Sequence, residues 1–193
     1  MPGWFSEQAR GSIVQFRMYT PGTRSSVLAG VFCLTLTVST AVSGLELENV
    51  QGGKEDIGNY IGQGRWVVMN VWSPSCTFCV QELPHILEFH RKHSDQIDVI
   101  GITVDYPSFA YGKRDLVNRF LQHYPIDSPL FLADHAMASE VIGGYLKAIP
   151  LLVIFHPDGR ILGRWPGEVN IPELEEFIRN YERYGTEDWG LGS

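Results

Sequence analysis

A Cys-x-x-Cys pair at the junction of a strand and a helix constrains this chain more than any other sequence feature. The run from Val67 to Trp72 is apolar or β-prone at nearly every position, which predicts a buried strand that the Ser-Pro-Ser of residues 73–75 ends. The positions expected on one helix face then follow at Val80, Leu83, Ile86, Leu87 and His90. Cys76 and Cys79 therefore fall where a strand leads into a helix.

The position of the pair favours redox chemistry. A cysteine in the first turn of a helix faces unpaired backbone N–H groups and the positive end of the helix dipole, which lower the thiol pKa from about 8.5. Cys79 lies almost one helical turn after Cys76, close enough to form a disulfide and further inside the fold. We therefore predict a pair that cycles between dithiol and disulfide.

Length, charge and cysteine count exclude several classes of protein. The 193 residues suffice for one domain with a full hydrophobic core plus an extra segment. The net charge of −7, without a run of Lys or Arg, argues against a nucleic-acid partner. Three cysteines are too few for a disulfide-stapled scaffold, and Cys33 lies in a segment that we expect to be removed. The remaining pair indicates redox chemistry or half of a metal site, since structural zinc usually takes four ligands.

Residues 1–43 have the pattern of a secretory signal or membrane anchor. Three arginines precede an uncharged run of apolar and small residues from Val27 to Val42, and acidic residues follow it. The run of about 16 residues is short for a membrane span of about 20 and is diluted by Thr and Ser. We predict export with cleavage near Ser43 rather than a retained anchor or a core helix. Met18 is an alternative start.

The rest of the chain alternates strand and helix patterns. We predict strands at 97–104, 130–132, 151–155 and 161–165, and helices at 56–61, 116–124, 138–146 and 170–181. Pro84 is expected to kink the redox helix because it has no N–H to donate. Asn170 and Glu173 are the expected capping box of the last helix. This order of elements indicates an α/β sandwich with one mixed sheet.

From Glu46 to Tyr181 the chain resembles the thioredoxin fold, and more narrowly the TlpA and ResA class of exported thiol-disulfide oxidoreductases. The matching features are Trp72-Ser73-Pro74-Ser75-Cys76-Thr77-Phe78-Cys79, Glu82, Pro84, a long insert at 105–135, Ile149-Pro150 before a strand, and Pro157-Asp158-Gly159-Arg160 in a hairpin. The resemblance implies a three-layer sandwich over residues 44–184, with a central mixed sheet flanked by helices. A flexible tail would follow at 185–193.

The resemblance also implies roles for individual residues. Cys76 would be the attacking thiol, Cys79 the resolving thiol, and Pro150 a cis-proline facing the pair. Residues 148–150, with Ile149 among them, would offer backbone groups to an extended substrate segment. The resemblance implies no cofactor and no metal.

Two aromatic residues beside the pair are further substrate contacts that we predict. Phe78 lies between the cysteines and Trp72 precedes them, although Trp72 is equally a candidate for packing. Leu151 and Leu152 stand where the family often has threonines, which makes the expected groove more apolar. The dipeptide Thr77-Phe78 replaces a Pro-containing dipeptide common in reducing members, so the direction of electron flow stays open.

Two polar positions bear on proton transfer. Asn70 stands where thioredoxins usually carry a buried aspartate, and an uncharged amide cannot act as a base. Glu82 resembles the acid of the ResA-like class, and a carboxyl there would accept the proton of Cys79 if partial burial raised its pKa. The alternative is an exposed acid near the start of the helix, stabilised by the helix dipole.

The resemblance implies a thiol-disulfide oxidoreductase in the periplasm or on the outer face of the cytoplasmic membrane. It would reduce protein disulfides, or less expectedly oxidise thiols. An exported reductase must be re-reduced in an oxidising compartment, so a membrane thiol-disulfide electron donor is the expected partner. Reduction of apocytochrome c before haem attachment is the family role that we favour by analogy.

The cysteine pair has three alternative interpretations. A metallochaperone would bind copper or zinc through Cys76 and Cys79 with His85 or His135. A redoxin-type peroxidase needs a threonine at a suitable spacing before its cysteine, and this chain has none there. A purely structural disulfide is disfavoured because an exposed pair that closes so short a loop stabilises little.

Overall fold

The computed structural model describes residues 44–185, so the predicted signal or anchor and the tail beyond Gly185 lie outside the described residues. Within them the elements are β1 (Glu46–Asn49), β2 (Lys54–Asp56), β3 (Trp66–Trp72), α1 (Thr77–His93), β4 (Ile97–Asp105), β5 (Ala110–Tyr111), α2 (Arg114–Leu121), β6 (Leu130–Leu132), α3 (His135–Val141), β7 (Leu151–Phe155), β8 (Ile161–Pro166) and α4 (Ile171–Tyr184). A short 3-10 helix at Ile57–Asn59 follows β2.

One mixed sheet runs through the described residues in the order β2-β1-β6-β4-β3-β7-β8, and β5 pairs with β4 beside it. Strands β3, β4 and β6 are parallel, whereas β7 is antiparallel to β3. Strands β3, β4 and β6 therefore end at the same edge of the sheet, and β7 begins at that edge. We call this the carboxyl edge, and it is where the cysteine pair follows β3.

Side chains of β3 alternate between two cores on opposite faces of the sheet. Val68 packs in a cluster with residues of α1 and α4, including Phe89 and Ile178. Met69 belongs to a second cluster, which contains Val117 of α2 and residues of α3. Helices therefore cover both faces of the sheet, which confirms the three-layer α/β sandwich.

Two helices differ from the sequence-based expectation. Helix α3 covers His135–Val141 rather than 138–146, because the Asp134 carboxylate accepts a hydrogen bond from the Met137 N–H at 2.9 Å and so starts the helix earlier. It ends before Gly143, whose φ of 62° suits a residue without a side chain. Helix α2 ends at Leu121, so Tyr124 lies beyond it.

The capping box predicted at the last helix is wrong. Asn170 is the N-cap residue of α4, but its side chain makes no capping bond to the backbone and donates instead to Glu173 at 3.1 Å.

Strands β1, β2 and β5 were not predicted, since two to four half-exposed residues show too little periodicity to be recognised. Helix α1 continues past Pro84 to His93.

Candidate active site

The two cysteines lie at the first turn of α1, on the carboxyl edge. Cys76 is the N-cap residue, with extended backbone angles, and its Sγ accepts a hydrogen bond from the Cys79 N–H at 3.3 Å. The pair forms a disulfide with its Cα atoms 5.3 Å apart. A sulfur at this position faces the unpaired N–H groups of the helix, which favour the thiolate once the bond is reduced.

Burial of the pair differs from expectation. Cys76 is 2% exposed and Cys79 is fully buried, so the prediction of an exposed pair is wrong. Phe78, between them, is 67% exposed. The helix start thus covers both sulfurs and turns a phenylalanine ring outward.

Glu82 lies inside the fold. It is 1% exposed, and its Oε1 accepts a hydrogen bond from the Val169 N–H at 2.8 Å, whereas Oε2 has no partner among residues 44–185. Burial raises the pKa of the Glu82 carboxyl above its usual 4.5, and the Val169 bond offsets part of this rise. The nearby charge of Glu168 adds to the rise and His85 opposes it. The alternative of an exposed acid near the helix start is therefore wrong.

Glu82 follows Cys79 by three residues on α1. Residues three apart on a helix are neighbours on one face, with Cβ atoms about 5–6 Å apart. Both side chains are buried. The structure therefore places a carboxyl with one free oxygen one turn beyond the inner cysteine.

The Ile149–Pro150 peptide bond is cis and stands directly before β7 at the carboxyl edge. The Pro150 carbonyl accepts a hydrogen bond from the Gly167 N–H at 2.9 Å. Because proline has no N–H, Pro150 has no hydrogen-bond donor to offer a substrate. The prediction that residues 148–150 offer backbone groups to a substrate stays a prediction, with Ala148 and Ile149 as the residues that can also donate an N–H.

Two residues near the pair face the interior. Trp72 is 1% exposed and stacks edge-to-face on Phe120 with ring centroids 5.2 Å apart, so it packs in the core and does not reach the surface as a substrate contact would. Asn70 is 3% exposed, and neither atom of its amide has a hydrogen-bond partner in the described part of the chain.

Sequence reasoning missed a series of rings near the segment that leads to Pro150. Tyr106, Phe109, His135 and Tyr145 contact one another in turn, with centroids 6.1, 6.3 and 4.4 Å apart. The His135 Nε2 donates to the Leu146 carbonyl at 3.0 Å, which fixes the start of that segment. The only sequence signal was the long insert at 105–135. Its aromatic residues gave no indication of which rings would contact one another.

The structure does not bring together the residues that would bind a metal in a metallochaperone. His85 lies exposed on α1, and His135 is engaged with the Leu146 carbonyl. Between residues 44 and 185 no three His, Cys, Asp or Glu side chains are grouped so as to hold a metal ion.

Known proteins resemble this chain in both sequence and structure. The thiol-disulfide oxidoreductase ResA of Halalkalibacterium halodurans is 22% identical over 133 residues, which are 68% of this chain and 70% of that protein. The thiol-disulfide oxidoreductase YkuV of Bacillus subtilis is 23% identical over 112 residues, or 58% of this chain and 73% of that one.

Solved structures support the same fold. A putative thioredoxin from Neisseria meningitidis superposes with a TM-score of 0.61 at 20% identity, covering 77% of this chain and 93% of the other. The exposed lipoprotein thioredoxin of Streptococcus pneumoniae gives 0.58 at 17% identity, covering 70% and 97%.

Fold, disulfide and relatives together define the class, a thiol-disulfide oxidoreductase with a thioredoxin-like fold. The chain belongs to the AhpC/TSA family, whose model matches residues 38–163, more than half of the chain. None of the helices within residues 44–185 is long and apolar enough to cross a bilayer.

Proposed function

We propose that the protein is a reductase of protein disulfides in the cell envelope, with Cys76 as attacking thiol, Cys79 as resolving thiol and Glu82 as proton acceptor. The observation that carries the proposal is the Cys76–Cys79 disulfide at the N-terminus of α1, with a buried carboxyl one turn beyond it. Substrate attack requires a reactive outer sulfur, and resolution requires a base near the inner one.

The reaction moves two electrons to the substrate. The Cys76 thiolate attacks one sulfur of a substrate disulfide, the substrate disulfide breaks, and its second sulfur leaves as a thiolate that takes up a proton. The Cys79 thiol then loses its proton to Glu82 and attacks the Cys76 sulfur. The mixed disulfide breaks, the internal disulfide forms, and the substrate leaves as a dithiol.

The raised pKa of the Glu82 carboxyl suits this role because it brings the acceptor closer to the pKa of a thiol. Its free Oε2 is the atom that takes the proton, since Oε1 is held by Val169. A buried position also prevents water from competing for the proton of Cys79.

The substrate class that we assign is an extended, cysteine-bearing polypeptide. Phe78 offers an exposed apolar contact beside the cysteines, and Ile149 adjoins the cis peptide at the same edge. An apocytochrome c before haem attachment is the example that the resemblance implies.

A membrane thiol-disulfide donor would re-reduce the protein, because the envelope is oxidising. The exposed-lipoprotein neighbour supports an envelope location, as does the signal pattern of residues 1–43.

The test is trapping of the mixed disulfide. Cys79→Ser should accumulate a covalent complex between Cys76 and a reducible substrate protein, visible by non-reducing electrophoresis and mass spectrometry. Cys76→Ser is the matched control and should trap none, because the attacking sulfur is gone. Equal trapping by both variants would contradict the assigned order of attack.

The reduction potential then decides the direction. We expect a value nearer the thioredoxin end of the scale, about −270 mV, than the strong-oxidant end of about −120 mV. A value at the oxidising end would contradict the reductase, and turnover of hydrogen peroxide as fast as that of disulfides would favour the peroxidase reading.

A further inference from the structure

A second concave site lies on the other side of α1, away from Glu82. It is a cavity of about 300 Å³ between α1 and the connection from α2 to β6. Its apolar walls are Leu83, Pro84, Leu87 and the ring of Tyr124. This volume lies at the lower end of the range for small-molecule sites in proteins.

One polar group at this cavity has no partner in the described part of the chain. The Nδ1 of His90 is buried without a hydrogen bond. A ligand able to hydrogen-bond would satisfy this group, which the fold leaves open.

A smaller cavity of about 10 Å³ lies deeper, under α1, and Leu83 and Leu87 line both cavities. Asn70 and Ser128 line the inner one, at 3% and 4% exposure. The Asn70 amide and the Ser128 hydroxyl have no hydrogen-bond partner among residues 44–185. The inner cavity has room for about one water molecule or one hydroxyl group.

The outer cavity carries no excess of acid, although the chain has a net charge of −7. Among the described residues that line it, Arg91 and Asp127 are the charged pair of opposite sign, and His90 and His123 add ring nitrogens. Arg91 has no ion-pair partner among the described residues, and His123 contacts the Arg119 carbonyl through Nδ1 at 3.1 Å. An unpaired guanidinium beside an apolar wall suits a carboxylate, which it binds through two parallel hydrogen bonds.

We propose that these two cavities form one binding site for a small carboxylate with an apolar body and a terminal hydroxyl. The carboxylate meets Arg91 at the mouth, and the body lies between Leu83, Leu87 and Tyr124. The hydroxyl reaches Asn70 and Ser128 past the two leucine side chains, which change rotamer to admit it. This site uses neither sulfur, so it stands independently of the thiol chemistry.

Calorimetric titration of the full-length, disulfide form with para-hydroxyphenylpropanoate tests the charge contact. Arg91→Ala should weaken binding about three- to tenfold. Lys92→Ala is the matched control, because Lys92 is the next residue of α1 and pairs with Glu175 at 2.8 Å on another face. It should leave binding unchanged. Asp127→Asn should tighten binding about twofold, since it removes the opposing charge.

Two related probes test the rest of the site. The uncharged para-hydroxyphenylpropanamide should bind more weakly than the carboxylate. Phenylpropanoate, without the hydroxyl, should bind about tenfold more weakly to the natural protein, and Ser128→Ala should reduce this difference. Heteronuclear NMR should place the largest shifts at Leu87 and Tyr124.

Several results would overturn the proposal. These are absence of saturable binding up to about 10 mM, equal affinity for acid and amide, the same loss in Arg91→Ala and Lys92→Ala, or shifts confined to the carboxyl edge. Mixed-disulfide trapping is a separate measurement on the same protein, so a failure of this proposal is distinguishable from a failure of the reductase assignment.

Discussion

At the scale of single residues, the chemistry of the site depends on where its one buried carboxyl is held. Asn70 leaves strand β3 without an acid, whereas Glu82 places one on α1. The carboxyl is fixed by a backbone N–H of Val169, far along the chain. In the proposed mechanism the proton of Cys79 therefore leaves along its own helix and not across to the sheet.

Replacement of Glu82 tests this route. In Glu82→Gln the resolution step should slow about 100-fold near pH 7 and then rise steadily with pH, because only hydroxide remains to take the Cys79 proton. Stopped-flow measurement of mixed-disulfide decay across pH gives the profile. An unchanged profile would contradict the acceptor role.

Glu168→Gln is the matched control for that experiment. Its charge contributes to the raised pKa of Glu82, so its removal should move the inflection of the profile to lower pH without abolishing it. If Glu168→Gln gave the same profile as Glu82→Gln, the two carboxylates would affect resolution only through their negative charge. Glu82 would then not be the proton acceptor.

At the scale of elements, two helix starts with similar sequence signals differ in their capping. Asp134 caps α3 through a bond to the Met137 N–H, and Asn170 makes no such bond at α4. Helix α3 begins the segment that His135 ties to Leu146, shortly before Pro150. Capping of α3 therefore helps to hold the segment that leads to Pro150.

Alanine substitution should separate the two caps. Asp134→Ala should lower the free energy of unfolding by about 1 kcal/mol, whereas Asn170→Ala should change it by only about 0.3 kcal/mol. Urea denaturation of both variants measures the difference. Equal losses would show that the Asp134 bond contributes little in solution.

The elements that sequence predicted well are those with strong periodicity. Strand β3 is a continuous apolar run, and α4 places Leu174, Ile178 and Tyr181 on one buried face. The cysteines and Glu82 were identifiable because side chains carry their chemistry.

The rest was set by tertiary contacts that leave no sequence pattern. The Val169 N–H and the Pro150 carbonyl act through backbone atoms, which every residue has. The sequence left Trp72 open to two roles, substrate contact or packing, because its place in the motif says nothing about Phe120, which covers it. The interior cavity under α1 is lined by residues of four elements, β3, α1, β4 and β6, and of the connection that precedes β6.

At the scale of the whole molecule, the buried Glu82 couples stability to pH. Below its usual pKa of 4.5 the carboxyl is protonated in both the folded and the unfolded chain, so burial carries no charge penalty. As pH rises above 4.5, the unfolded chain ionises first, and the folded state loses stability until pH passes the raised pKa of the folded protein.

The natural protein should therefore lose stability relative to Glu82→Gln as pH rises from 4.5 to the raised pKa of the folded protein. Each pH unit in which only the unfolded chain is ionised contributes up to about 1.4 kcal/mol. Urea unfolding of the disulfide form at a series of pH values measures the difference. Glu176→Gln, on the exposed side of α4, is the control and should track the natural protein. A pH-independent difference for Glu82→Gln would contradict the linkage.

The hydrogen bond from Val169 to Glu82 also makes one backbone resonance an indicator of charge. An ionised carboxylate attracts an amide proton more strongly than a neutral acid does, so the Val169 proton signal should move as Glu82 titrates. The proposed proton acceptor can thus be followed during turnover without a label on either sulfur. The amide signal of Val169, a residue remote from the cysteines in sequence, would then show when the Glu82 carboxyl is protonated.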